Sequence, residues 1–132
     1  MTPARIKELL NDFEKALQRL NEALNEDISK GSVIVDGTIQ RFEFTFELAW
    51  KLAKNILAFQ GIEANSPRSA IKEAFRSKLI TDGNGWIDML EDRGKTSHIY
   101  DEKNALEIYE KIKKKHYPLL KAFRDASGSA IG

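Results

Sequence analysis

Cysteine is absent from the 132 residues, which excludes disulfides and every metal site built on thiolates. Histidine occurs twice, as His98 and His116, too few for a histidine-rich metal centre. The carboxylates show no spacing that singles out a hard-cation site, so neither metal nor cofactor is expected. No apolar run approaches the roughly 20 residues a membrane span needs. No apolar signal region follows Met1-Thr2-Pro3-Ala4-Arg5 either, so the expectation is a cytoplasmic chain with no membrane association. Strong charge of one sign is also missing: 21 basic against 20 acidic side chains leave a formal +1. That balance argues against an extended nucleic-acid surface while leaving room for a small basic cleft at a dimer interface. There is no Walker loop, dinucleotide fingerprint, zinc-ligand spacing or internal repeat.

What is present is a helical pattern. Hydrophobic residues make up 42% and charged residues 31%, the balance of a globular domain. The predicted fold is all-α, an antiparallel up-and-down bundle of about five helices. It forms one domain over residues 1–125, with 126–132 a small-residue tail expected to be disordered. The first helix should run from Pro3 to Glu26, capped by Thr2, with Ile6, Leu9, Leu10, Phe13, Leu17, Leu20 and Leu24 on one stripe. Residues 25–35 read as a connection ending in an apolar anchor, Val33-Ile34-Val35, that would also suit a short strand. The second helix should begin near Asp36 and end at Gln60-Gly61. It carries a core stripe of Ile39, Phe42, Phe46, Ala49, Ala53 and Ile56. A second apolar line, Phe44, Leu48, Leu52 and Phe59, exceeds what one bundle face can use and points to a homodimer.

Ser66-Pro67 opens a third helix with Ala70, Ile71, Ala74 and Phe75 facing inward. Thr81-Asp82-Gly83-Asn84-Gly85 reads as a turn, Trp86 to Arg93 as a short fourth helix, and Gly94 as the residue just past its end. The last helix starts after an Asp101 cap and keeps period through Ala105, Tyr109, Ile112, His116, Leu119 and Phe123, with a kink or break expected at Pro118. His116 therefore reads as a packing residue, and Lys111, Lys113, Lys114 and Lys115 as a solvated face.

Chemistry concentrates in Asp92-Arg93-Gly94-Lys95-Thr96-Ser97-His98-Ile99-Tyr100-Asp101-Glu102. Arg93 offers a planar fork for phosphate oxygens. His98 exchanges a proton near neutral pH, and Tyr100 adds a hydroxyl. A break at Gly94 followed by extended chain would put His98 and Tyr100 on one side. On the second helix, Glu43, Glu47 and Lys51 stand four apart. They are either helix-stabilising pairs or, for the two glutamates, second-shell partners that orient Arg93.

Two segments resemble a known family. Arg41-Phe42-Glu43-Phe44-Thr45-Phe46-Glu47-Leu48-Ala49-Trp50-Lys51 resembles the signature of nucleotidyltransferase substrate-binding proteins, members of the HEPN superfamily of helical bundles. Arg93-x4-His98-Ile99-Tyr100 is similar to the Arg-x4-His-x-Tyr motif of HEPN toxins paired with small MNT-type nucleotidyltransferase antitoxins. The resemblance covers about residues 5 to 125 and implies a four-helix-bundle core. It implies a homodimer in which Arg93 and His98 of both copies meet as catalytic residues for metal-independent RNA cleavage. It further implies a nucleotidyltransferase partner that transfers AMP to Tyr100. The chain departs from the family pattern at Gly94, where a polar residue often follows the arginine. Two readings stand: a ribonuclease toxin, favoured by the matched Arg93, His98 and Tyr100, and a non-catalytic substrate- or nucleotide-binding partner of a nucleotidyltransferase, favoured by Gly94 and the near-neutral charge.

Overall fold

A computed structural model of the chain describes residues 3–99 and 101–131, and all of its regular structure is helical. The predicted Thr2 cap and Tyr100 lie outside the described residues. Helix α1 (Pro3–Leu24) buries Ile6, Leu9, Phe13, Leu17, Leu20 and Leu24, with Leu10 at the margin of the core. It turns into α2 (Ser32–Phe59) through a 3₁₀ turn at Ile28–Lys30, whose N-cap Asp27 accepts from the Ser29 amide at 2.9 Å. The bond from Arg41 Nη1 to the Arg19 carbonyl and that from Thr45 Oγ1 to the Ala16 carbonyl fix an antiparallel register. As the α2 number rises by four, the α1 number falls by three.

Helix α2 starts at Ser32 rather than near Asp36, so Val33–Val35 form its first turn and not an anchor or strand. Helical phase explains the change: only Val35 lines up with the core stripe, while Val33 is 80% exposed. The predicted stripe from Ile39 to Ile56 is buried throughout. Of the second apolar line, Leu52 is buried and Leu48 partly so, whereas Phe44 and Phe59 stand 62% and 58% exposed. Thr38 and Thr45 are fully buried in the same helix, each hydroxyl bonded at 2.7 Å to the carbonyl four residues back, which satisfies it within its own helix. Gly61, at φ +84°, ends the helix; the Ile62 amide donates to the Leu57 carbonyl and the Gly61 amide to Ala58.

The short helices α3 (Pro67–Arg76) and α4 (Gly83–Lys95) follow. Ser66 and Ser69 make a reciprocal capping box at the start of α3. Phe75, expected inward, is 51% exposed, with its ring over Gly83; a β-carbon added there would lie 3.1 Å from it. The turn cluster is the first turn of α4, capped by Asp82, which accepts from the Gly85 amide at 2.9 Å. A β-carbon at Gly85 would come within 2.8 Å of Leu119, so this glycine permits close approach of the last helix.

Asp101 caps α5 (Glu102–Lys111) by accepting from the Asn104 amide. A π-turn at Ile112–His116 then joins it to α6 (Tyr117–Ile131). Pro118 does not end the helix. The disturbance falls on the preceding turn, where the Tyr117 amide reaches back five residues to the Ile112 carbonyl. Widening the turn there accommodates a residue that has no N–H and whose ring crowds the turn before it. The extra residue moves the core position from the expected Leu119 to Leu120, which is fully buried, leaving Leu119 at the margin. α6 continues through the segment expected to be a tail as far as Ile131, with Ser127 buried.

Helix α2 is the central element, packing against α1, α3, α5 and α6. Aromatic rings run through the core: Phe13 on Phe123 at 5.6 Å, Phe123 edge-on to Trp86 at 5.5 Å, and Trp86 near Phe46 at 6.3 Å.

Candidate functional site

Arg93 lies in the last turn of α4, and its side chain crosses to α2. Nη1 donates to Glu43 Oε2 at 3.0 Å, and Nε lies 3.8 Å from Glu47 Oε1, a separation that makes an ion pair but no hydrogen bond. Glu47 is itself held by the Trp50 indole at 3.0 Å. Thr96 completes the cluster: its hydroxyl lies 2.7 Å from both Glu43 Oε2 and the Arg93 carbonyl. Arg93 and Glu43 retain 29% and 28% side-chain exposure, so the cluster sits at the surface of the bundle. The Nε donor is buried without a hydrogen-bond partner.

The chain does not break at Gly94. α4 runs on to Lys95 and tightens into a 3₁₀ turn over Thr96–His98, so His98 is helical rather than extended; Ile99 and the cap residue Asp101 have extended backbone. Arg93 turns in to the α2 carboxylates, while His98 is exposed at the end of the turn and makes no hydrogen bond to a described residue. A cleft of about 440 Å³ is lined by Ile28, Val35, Asp36, Ile99, Asp101 and Leu106 among others, and His98 is not part of its lining. Glu43 and Glu47, for which the sequence left open helix-stabilising pairs or partners of Arg93, both lie within ion-pair distance of Arg93.

One cluster has no counterpart in the sequence reading. Asp92 is 1% exposed, and its Oδ2 lies 2.7 Å from both His116 Nε2 and Lys111 Nζ. Lys111, expected on a solvated face, instead turns inward and also sits 3.0 Å from Asp88. Burial pushes the His116 imidazole below its ordinary value even though Asp92 and Asp88 pull it up. Neutral His116 therefore donates from Nε2 to Asp92, and its Nδ1 is buried without a partner, with the Phe42 ring stacked at 5.4 Å. Burial opposes the Lys111 ammonium, but its bonds to Asp92 and Asp88 win and hold its pKa above the ordinary value. Asp88, Asp92 and His116 could hold a cation by their donor types, yet the Lys111 ammonium already supplies the positive charge there. The available signal was spacing: Asp92 follows the core residue Met89 by three and Asp88 by four, and His116 lies on the apolar stripe of the last helix.

Residues 8–128 match the family model described as "nucleotidyltransferase substrate binding protein like". The chain belongs to this family. Within the HEPN-like fold of the family, its relatives carry two kinds of name. A protein of Haemophilus influenzae named "probable ribonuclease HepT" is 33% identical over 84 residues, spanning 60% of this chain and 58% of the relative's length. A crystal structure from Thermus thermophilus superposes with a TM-score of 0.75 at 32% identity, over 90% of this chain and 98% of that one. A Haemophilus influenzae structure, described as revealing the fold of a substrate binding domain of a nucleotidyltransferase, superposes with a TM-score of 0.69 at 22% identity. It covers 96% of this chain and 99% of its own, and this likeness establishes the fold alone. The all-α bundle expected from the sequence is thus the fold of the nucleotidyltransferase substrate binding protein-like family. No described helix is long and apolar enough to cross a membrane.

Proposed function

We propose that this chain is a HEPN-type toxin: a metal-independent endoribonuclease that works as a homodimer. A cognate MNT-type nucleotidyltransferase would neutralise it by transferring AMP to Tyr100. The observation that carries the reading is the presence, within a short stretch of chain, of a held guanidinium and an exposed imidazole: Arg93 bonded to Glu43 at 3.0 Å, and His98 five residues on, with no hydrogen bond to a described residue. Likeness to a protein named as a probable ribonuclease supports it.

The step balances without a cofactor. The ribose 2′-oxygen attacks the adjacent phosphorus, the P–O5′ bond breaks, and the ends are a 2′,3′-cyclic phosphate and a 5′-hydroxyl. One imidazole takes the 2′-hydroxyl proton and another protonates the leaving 5′-oxygen. The second imidazole is His98 of a second copy. Arg93 stabilises the charge that builds on the phosphoryl oxygens. The exposed apolar line on α2 supports the dimer: Val33 and Phe44, eleven residues apart, share a face, and both are more than 60% exposed.

The test is cleavage of RNA in excess EDTA by the wild-type chain, with His98→Ala and Arg93→Ala as controls of unchanged helicity. Both variants lose cleavage, and the product ends are cyclic phosphates. Product ends bearing 3′-hydroxyl, a magnesium requirement, or a strict monomer in light scattering refute the mechanism. Incubation with an MNT-type nucleotidyltransferase and ATP adds one AMP mass at Tyr100; undiminished labelling of Tyr100→Phe refutes that assignment.

A specific observation favours a second reading. Glu43 occupies the guanidinium that a phosphate would need, as a pure binding partner of a nucleotidyltransferase would tolerate. Equal cleavage by wild type and His98→Ala, at contaminant level, selects that reading.

A further inference from the structure

We infer that Asp92, gripped by His116 and Lys111 across the π-turn, is a positioning residue for Arg93. The kinetic part of this inference rests on the ribonuclease reading; the structural part does not. A carboxylate 1% exposed is costly to bury, and a well-packed apolar residue often serves stability as well or better, so the network does more than hold the bundle together.

The π-turn indicates what it does. In a regular α-helix, Lys111 and His116 would lie about 140° apart around the axis. The i→i+5 geometry, seen in the Tyr117 amide bonded to the Ile112 carbonyl, brings both to one side, and both meet the same Asp92 oxygen at 2.7 Å. Adjacent residues on a helix point roughly 100° apart. Asp92 therefore faces the α5–α6 junction while Arg93 faces α2 and Glu43. These two contacts, on neighbouring residues and different faces, set the rotation of the last turn of α4. The Asp92 grip thereby fixes where the Arg93 fork points and where the Thr96–His98 turn begins. Asp92 itself is enclosed, so it positions rather than touches substrate.

The test uses the full chain in three forms, Asp92→Asn, Lys111→Met and Lys111→Arg. The Arg93 Nε–H resonance is followed by side-chain ¹H–¹⁵N NMR alongside RNA cleavage. The expected result for Asp92→Asn is a displaced or broadened Arg93 resonance with that of exposed Arg76 unchanged. A fall in kcat on the order of 100-fold, as for a misaligned catalytic group, accompanies it, with KM within about twofold. Lys111→Met reproduces part of both effects and Lys111→Arg restores them. Should Asp92→Asn fail to fold, Lys111→Met decides, since Lys111 is a third exposed and its removal leaves the Asp92–His116 bond. An Arg93 resonance unmoved in whichever of the two variants is folded overturns the inference. If wild type and His98→Ala are equally inactive, the ribonuclease reading fails, and the Arg93 resonance still settles the positioning role.

Discussion

Replacing Glu43 by alanine should cost about 2 kcal/mol of stability. Its Oε2 accepts two bonds, from Arg93 Nη1 at 3.0 Å and Thr96 Oγ1 at 2.7 Å, and so ties the end of α4 to the middle of α2. A hydrogen bond to an ionised group contributes about 1.5–3 kcal/mol when shielded. Here both charged side chains are more than a quarter exposed, and solvent screening reduces each bond to roughly 1 kcal/mol. Unfolding entropy of about 2.1 cal/mol/K per residue makes 1 kcal/mol worth roughly 4 °C in a chain of 132 residues. The expected loss is therefore about 7 °C for Glu43→Ala and about 4 °C for Thr96→Val. The double variant should fall short of the sum by a coupling of about 1 kcal/mol, because the Thr96–Glu43 bond is absent from both single variants. Differential scanning calorimetry at one fixed protein concentration measures this, the concentration mattering because a dimer's melting point depends on it. A loss below about 2 °C for Glu43→Ala, or strict additivity, would mean that the cluster is a surface ornament and that Arg93 is not oriented by α2.

Phe123→Ala should destabilise by about 3–5 kcal/mol in urea titration, since Phe123 is 2% exposed and touches both the Phe13 and Trp86 rings; a cost under about 1.5 kcal/mol would contradict the packing. The His116 pKa, lowered by burial, makes the unfolded chain the better proton acceptor. Stability from this group is thus complete above about pH 6.5 and is lost as pH falls below that value. The melting temperature should drop between pH 7.5 and 5.5, and less so in His116→Gln; an equal drop in both would assign the effect to other groups. Phe44→Glu should yield monomers by light scattering and abolish cleavage while leaving helicity intact, because Phe44 is 62% exposed on the face assigned to the second copy.

Helical periodicity carried most of the fold in the sequence, since α1 and the core stripe of α2 depend only on spacing. Local geometry that spacing cannot encode was lost. Val33–Val35 joined α2 because a helix starting after Gly31 puts only Val35 on the core stripe, a phase that a run of three apolar residues does not reveal. Leu120 displaced Leu119 because the π-turn inserted a residue into the count. Gly94 stayed helical because its neighbours hold that turn: Thr96 bonds to Glu43 and to the Arg93 carbonyl, and a glycine inside a helix is a modest penalty rather than a stop. At the site, the contact from Glu43 to Arg93 was legible as an alternative, being carried by residue types at helical spacing. The Asp92–His116–Lys111 cluster was not, because the Lys111–Lys115 run reads as a solvated face and the partners of Asp92 belong to the α5–α6 junction, which spacing alone does not bring near.

The π-turn also sets where the last helix tolerates a change in length. It holds one residue more than a regular helix needs to reach the same face. Loss of one residue from 113–115 would let the backbone settle into plain α-helix. Ile112 and Leu120 would then stand seven positions apart, within about 20° of one line down the helix. Lys111 and His116 would stand four apart, still on one side, so the core and the Asp92 grip would both persist. The cost would fall on Pro118, whose ring would meet the carbonyl one turn back, and a simultaneous Pro118→Ala would relieve it. A residue lost between Leu120 and Phe123 meets no such slack. Everything beyond it would turn by about 100°, carrying Phe123 and Ser127 out of the core. The last helix thus carries one spare link, placed where a shortening of the chain does least harm.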